Sequence, residues 1–269
     1  MNKKNNNRKF VKVLAVIPAR YNSKRLPGKP LALIEGKPMI QWVYENVKKC
    51  ELIDKVVVAT DDKRIYDIVK NFGGEVMMTS RHHKSGSDRV AEVARRIPCN
   101  IVLNVQGDEP MISPEILKKI ILEFKKEPKL NVVTPICRIS YFSELFNINF
   151  VKVVTDKKGY ALYFSRSVIP FIRDKFKTDN LKFYLDIKQD LLKNYRFYRH
   201  IGVYGFKRNF LFKFLDMPVG KLEMLEKLEQ LRILEYGYKI KTVLVNENPF
   251  PVDTPEDLKK IRKIFKNTI

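Results

Sequence analysis

Between residues 11 and 135 the chain alternates short apolar runs with amphipathic segments, and this constrains the fold more than any other feature. Residues 11–18 are almost continuously apolar, the pattern of a strand buried on both faces. The spacing then predicts a helix over 37–49, where Met39, Ile40, Val43 and Val47 recur at helical intervals. Further strands are predicted over 55–60, 75–79, 101–106 and 131–135. They alternate with helices over 62–71, 88–96 and 114–126, and Gly73-Gly74 stops the first of these. This order calls for an α/β fold with a doubly wound, mostly parallel sheet whose ligand crevice lies at the carboxyl ends of the strands.

Beyond residue 135 the pattern changes. Residues 151–155 and 160–165, joined through Asp156-Lys157-Lys158-Gly159, predict a β-hairpin. The polar, basic and aromatic stretch 171–198 lacks clear periodicity and reads as a mobile excursion from the sheet. A strand over 198–206 follows, then a helix marked by Leu222, Leu225, Leu228 and Leu231 that ends near Gly237. A strand over 239–245 and a helix over 255–266, with Thr254 as its N-cap, complete the chain. No internal repeat or linker divides it. The expectation is a disordered polar tail over 1–9 and one domain over 10–269, with a smaller hairpin and helical subregion over about 140–235.

The 269 residues are 45% hydrophobic, enough for a substantial core, yet no apolar run approaches the length of a membrane span. The basic start leads into an apolar segment too short for a signal peptide, and Pro18-Ala19-Arg20 interrupts it. Cys50, Cys99 and Cys137 are scattered without short pairing, which speaks against a disulfide framework or a zinc site and suits reduced thiols in the cytoplasm. The net charge of +22 is the one feature pointing toward polynucleotides. Lysines are spread through every segment, however, and no basic run is interleaved with aromatics, so a Lys-rich composition explains the charge without nucleic acid.

Each group of residues able to carry chemistry follows a predicted strand. The loop from Ile17 to Pro30 contains Arg20, Lys24, Arg25 and Lys29 around small residues, and fixed cations of this kind suit a triphosphate and a departing pyrophosphate. It contains neither a P-loop nor a G-x-G-x-x-G pattern, and a basic surface turn is the plain alternative. Asn104-Val105-Gln106-Gly107-Asp108-Glu109-Pro110 sets a hard oxygen, Asp108, beside a glycine that lets backbone approach a ligand; an ordinary Gly-Asp turn has the same letters. Asp253 stands between a strand and a helix, where capping is an alternative role. Two carboxylates holding Mg²⁺ opposite a cationic loop meet the needs of phosphoryl transfer. Lys84-Ser85-Gly86-Ser87-Asp88-Arg89 opens a helix, either as a base-reading loop or as a plain N-cap. His82, His83 and His200 have no H-x-x-x-H spacing, so zinc is not expected.

Seven segments occur in an order that resembles the 3-deoxy-manno-octulosonate (Kdo) cytidylyltransferases. They are IPARYNSKRLPGKPL, KSGSDRVAEV, NVQGDEPMI, VKVVTDKKGYALYFSRSVIP, RHIGVYGF, LEKLEQLRILEYG and VDTPEDL. The resemblance implies an Mg²⁺-dependent transfer of CMP from CTP to the anomeric hydroxyl of Kdo for lipopolysaccharide biosynthesis, on a single α/β domain with a smaller dimerisation subregion. The apolar surface of the aromatic 140–170 hairpin and the leucine-rich 222–231 helix predicts a homodimer, and neither nucleic acid nor membrane insertion is expected. The resemblance also implies that Arg20 and Lys29 bind the triphosphate and that Asp108 and Asp253 hold Mg²⁺. Ala19, Ser87 and Arg89 would lie near the nucleotide. Gln106, His200, Tyr204, Glu229 and Gln230 would line the sugar site, with His200 a hydrogen-bond donor and Arg166 an anion contact. Two departures stand out: Ser85-Gly86-Ser87-Asp88-Arg89 replaces the usual Ser-Gly-Thr-Glu-Arg, and Phe250-Pro251 precedes Val252-Asp253 where a glycine is common. Another acidic sugar, such as an 8-amino relative of Kdo or a sialic-acid-like substrate, is the near alternative, and a nucleic-acid-binding protein the remote one.

Overall fold

The computed structural model describes residues 11–23, 25–173 and 192–267. The tail read over 1–9, Lys24 and positions 174–191 of the basic excursion lie outside the described residues. The chain forms two compact units. The described part of the first runs over 11–117, 206–211 and 250–267, and that of the second over 118–173, 192–205 and 212–249.

In the first unit the strand Val11–Ala19 is central, with Lys55–Thr60 on one side and Cys99–Asn104 on the other. Val76–Met78 pairs outside Lys55–Thr60, and every one of these pairings is parallel. The continuous apolar run is explained by burial: Leu14, Ala15, Val16 and Ile17 have no accessible surface. Helix Met39–Lys48 buries Met39, Ile40, Val43, Tyr44 and Val47, the face its periodicity marks out. It starts two residues later than the pattern suggests, because Lys37–Pro38 pairs with Leu33–Ile34 and Pro38 serves as its N-cap. Helix Gly86–Arg96 starts two residues earlier than read. Ser85 caps it and closes a capping box with Asp88, each side chain accepting from the other residue's N–H.

The second unit carries the change to antiparallel pairing. Val132–Arg138 lies between Lys241–Val245, parallel to it, and Tyr198–His200, antiparallel to it. Lys152–Thr155 then pairs with Tyr198–His200 and forms the expected hairpin with Ala161–Ser165.

Two expectations need correction. The strand over 198–206 is two strands, Tyr198–His200 and Tyr204–Lys207; Val203 N–H donates back to Ile201 O at 2.7 Å across Gly202, and this tight turn interrupts pairing. The leucine-rich helix is also two pieces, Lys221–Glu226 and Gln230–Glu235, separated where Lys227 takes φ 55 and ends the first. Helix Arg208–Asp216 was not anticipated, because its run of Phe and Leu is compatible with either period until Phe210, Leu211 and Phe214 are seen buried. Cys50, Cys99 and Cys137 are buried and form no disulfide among the described residues, and no helix among those residues is long and apolar enough to cross a membrane.

Candidate active site

The cationic loop leaves the carboxyl end of Val11–Ala19 and closes on itself. Gly28 N–H donates to Tyr21 O at 2.9 Å, with Gly28 in the left-handed region at φ 69. A side chain there would be strained and would press on the Tyr21 ring at 3.3 Å. This closure delivers Lys29 to the start of a short 3₁₀ turn, Lys29–Leu31.

Two separate backbones bring carboxylates to meet it. Gly107 allows the turn after Cys99–Asn104 to pass so close to the first strand that an added Cβ would lie 2.9 Å from Pro18 O. Asp108 O then accepts from Val252 N–H at 2.9 Å, which docks the approach to Asp253 directly beside Asp108. Val252 is fully buried among Ile34, Met39, Leu258 and Ile261, so Phe250-Pro251 leads into an anchored residue. Behind it, Thr254 caps helix Pro255–Lys266 in a capping box with Asp257. Capping is therefore done by Thr254, and the Asp253 side chain is left to face Lys29.

The three charges converge. Lys29 Nζ donates to Asp108 Oδ2 at 2.5 Å and to Asp253 Oδ1 at 3.1 Å, while Arg25 reaches Asp253 Oδ1 at 3.0 Å. Burial pushes the Lys29 ammonium down, but the Asp108 and Asp253 carboxylates outweigh it and the net shift is upward. A cavity of about 420 Å³ opens here, lined by Arg20, Asn22, Arg25, Gln106, Asp108 and Asp253. Two carboxylates sharing one cation offer the hard oxygens that a divalent ion needs. Among the described residues no cluster of three or more His, Cys, Asp or Glu side chains could hold a metal. The Asp108–Asp253 pair suits the donor chemistry of Mg²⁺, which takes one or two carboxylates and completes its shell with water and substrate phosphate.

The candidates for nucleotide contact stand close by in the same unit. Ala19 is buried at the strand end and lines the same cavity. Ser87 is buried in the first turn of its helix and accepts from Asn104 Nδ2 at 3.3 Å; Gln106 Nε2 donates to Asn104 Oδ1 at 2.8 Å. Arg89 is only 1% exposed, donating to Thr79 and pairing with Asp61 Oδ2 at 3.2 Å. Its Nε finds no partner among the described residues. With Arg20, Tyr21, Arg81 and His83 it borders a second cavity of about 380 Å³. Asp61 and Arg81 were not singled out from sequence. Asp61 immediately follows the strand Lys55–Thr60, and the strand-end rule applied to Asp108 would have found it.

Of the sugar-site candidates, Gln106 belongs to the first unit and the other five to the second. Arg166 donates through Nε to Glu226 O at 2.8 Å and through Nη1 to Ile148 O at 2.8 Å, so much of its guanidinium is engaged with backbone. The His200 ring lies 5.2 Å from those of both Phe164 and Tyr204, and its Nε2 is 2.9 Å from Thr134 Oγ1. Burial, aided by Arg199, pushes the imidazole down to about 3, so it is neutral and offers no cation. Burial and the nearby Glu229 carboxylate push the Tyr204 phenol well up. Gln230 is 7% exposed, beside Glu229 at the start of its short helix.

A cytidylyltransferase family model matches residues 14–240. The chain is 45% identical over 258 residues to a 3-deoxy-manno-octulosonate cytidylyltransferase of Trichlorobacter lovleyi, covering 95% of this chain and 99% of that protein. It is 47% identical to one of Geobacter sulfurreducens, covering 94% and 99%. Among solved structures, a CMP:2-keto-3-deoxy-manno-octonic acid synthetase complexed with CTP superposes with TM-score 0.86 at 39% identity, covering 96% of this chain and 100% of that one. On these grounds the chain belongs to the 3-deoxy-manno-octulosonate cytidylyltransferase family.

Proposed function

We propose that this protein transfers CMP from CTP to the anomeric hydroxyl of Kdo, forming CMP-Kdo and releasing pyrophosphate. The observation that carries the chemistry is the convergence of Lys29 on Asp108 and Asp253 in a cavity bordered by Arg20 and Arg25. The relatives' names supply the sugar, and the superposing structure's bound CTP supplies the nucleotide.

Arg20, Arg25 and Lys29 neutralise the triphosphate and stabilise charge on the departing pyrophosphate. Asp108 and Asp253 would hold Mg²⁺, which would supply Lewis-acid polarisation of the phosphate oxygens. Lys29 balances those two carboxylates, and its position beside them keeps a cation at the mouth of the triphosphate cavity. Ala19, Ser87 and Arg89 contact the nucleotide. Gln106, Arg166, His200, Tyr204, Glu229 and Gln230 orient the sugar. The protein works as a homodimer, with exposed Leu162 and Leu225 of the second unit in the contact. Its buried thiols, none in a disulfide among the described residues, suit the cytoplasm.

Pyrophosphate release tests this reading, with CTP compared against ATP, GTP and UTP, Kdo present or omitted, and Mg²⁺ present or chelated. Release that requires CTP, Kdo and Mg²⁺ together is expected. Release without Kdo, or undiminished by chelation, overturns the corresponding part.

A further inference from the structure

Thr134 sits in the strand Val132–Arg138 with no accessible surface. Three polar atoms surround its hydroxyl: Val203 O at 2.8 Å, Ile201 O at 3.4 Å and His200 Nε2 at 2.9 Å. A threonine hydroxyl has one hydrogen to give and lone pairs to accept with, whereas a carbonyl oxygen accepts only. Two oxygens 2.8 Å apart need a hydrogen between them, so the Thr134 proton points at Val203 O. His200 Nε2 then meets a lone pair, and it must itself carry the hydrogen of that bond. In a neutral imidazole this leaves Nδ1 bare. Among the described residues, nothing is seen donating to Nδ1.

The backbone makes this arrangement rigid. His200 N–H is bonded to Val151 O at 2.8 Å and Ile201 N–H to Pro135 O at 3.1 Å, while the tight turn across Gly202 sets the carbonyls of Ile201 and Val203 around the Thr134 hydroxyl. The rings of Phe164 and Tyr204 hold the imidazole from its sides.

We propose that Thr134 is a positioning residue: it holds His200 in the Nε2-protonated tautomer, so that the ring presents Nδ1 as an acceptor for a hydroxyl of the sugar. The assignment rests on the placement of His200 in the sugar site, and it reverses the donor role expected from sequence. An acceptor-only edge selects a group that carries a hydrogen, since a ligand oxygen without one would face an unmatched lone pair in a buried setting.

The test is the tautomer itself, read from long-range ¹H–¹⁵N correlation spectra of the full-length protein at neutral pH. His82→Gln and His83→Gln variants assign the three imidazoles. Wild-type protein should show His200 protonated on Nε2 with an unprotonated Nδ1. Thr134→Val, which keeps the shape and removes the hydroxyl, should populate the Nδ1-protonated form and raise the KM for Kdo about tenfold with the KM for CTP unchanged. Thr134→Ser should restore both. An Nδ1-protonated or doubly protonated His200 in the wild type, or a tautomer indifferent to Thr134→Val, overturns the proposal. A tautomer that switches while the Kdo KM stays fixed overturns its sugar-facing half by removing His200 from the site. Failure of CMP transfer as such would show separately, as absent turnover in the wild-type enzyme.

Discussion

The N–H of Val252 donates to the carbonyl of Asp108 at 2.9 Å, and this backbone bond sets side by side two carboxylates 145 positions apart (253 − 108) in the sequence. Side-chain attraction alone would not do so, since Asp108 and Asp253 repel each other; Lys29, shared between them, offsets that repulsion. The bond is main chain to main chain, so it survives changes in either side chain, and variants here report chemistry more than folding.

Asp108→Asn should therefore keep the circular-dichroism spectrum and melting profile close to wild type while lowering Mg²⁺-dependent turnover by about a thousandfold, the loss of several kcal/mol of transition-state stabilisation. Near-normal turnover in the folded variant would remove Asp108 from the mechanism.

Gly107→Ala tests the close approach that aims Asp108. The new methyl would lie 2.9 Å from Pro18 O, so strand or turn must move. Urea unfolding should show a loss of about 1–3 kcal/mol, with turnover falling as well. Gly202→Ala is the control: nothing lies within 4 Å of its added Cβ, and a stability change under about 0.5 kcal/mol is expected.

His200 makes stability depend on acid. Its ordinary value of 6.5 is depressed to about 3 in the folded protein, so unfolding takes up a proton between those values. The associated stability is fully present above pH 6.5 and is lost as pH falls toward 3, with a slope of about 1.4 kcal/mol per pH unit. His200→Gln should remove about one proton's worth of that slope in denaturation curves between pH 6 and 4. An unchanged slope would mean that the imidazole is not held neutral.

The exposed apolar side chains of the second unit carry the prediction of a homodimer. Leu162 is 60% exposed and Leu225 79% exposed, on elements joined by the Ser165–Glu226 hydrogen bond of 2.6 Å. Light scattering at micromolar concentration should report a dimer, and Leu162→Glu with Leu225→Glu should halve its mass. A fully active wild-type monomer would exclude it.

Sugar choice is tested by competition between Kdo and 8-amino-8-deoxy-Kdo at equal concentration with saturating CTP and Mg²⁺. Kdo should be preferred. Preference for the amino sugar would assign Glu229 to its ammonium and change the substrate while leaving CMP transfer in place.

The parallel half of the fold was legible because burial on both faces writes continuous apolar strands, and because helix periodicity and a cap such as Thr254 are local signals. The cationic loop and Asp108 were legible too, since each comes shortly after a strand, and Asp253 was legible from its place just before the Thr254 cap of the last helix. What tertiary structure alone decided was non-local. The partition of Arg166 among the carbonyls of Glu226 and Ile148, the pairing of Arg89 with Asp61, and the neutrality of His200 depend on which groups meet in space and how far water is excluded. The break at Gly202 could not be read from its neighbours either, because apolar residues flank it on both sides and only the completed turn shows Val203 N–H bonded back to Ile201 O. Sequence thus determined the elements and the chemical types available at their ends. The charge state and hydrogen-bond sense of each side chain were settled by packing, since desolvation and partner geometry have no local signature.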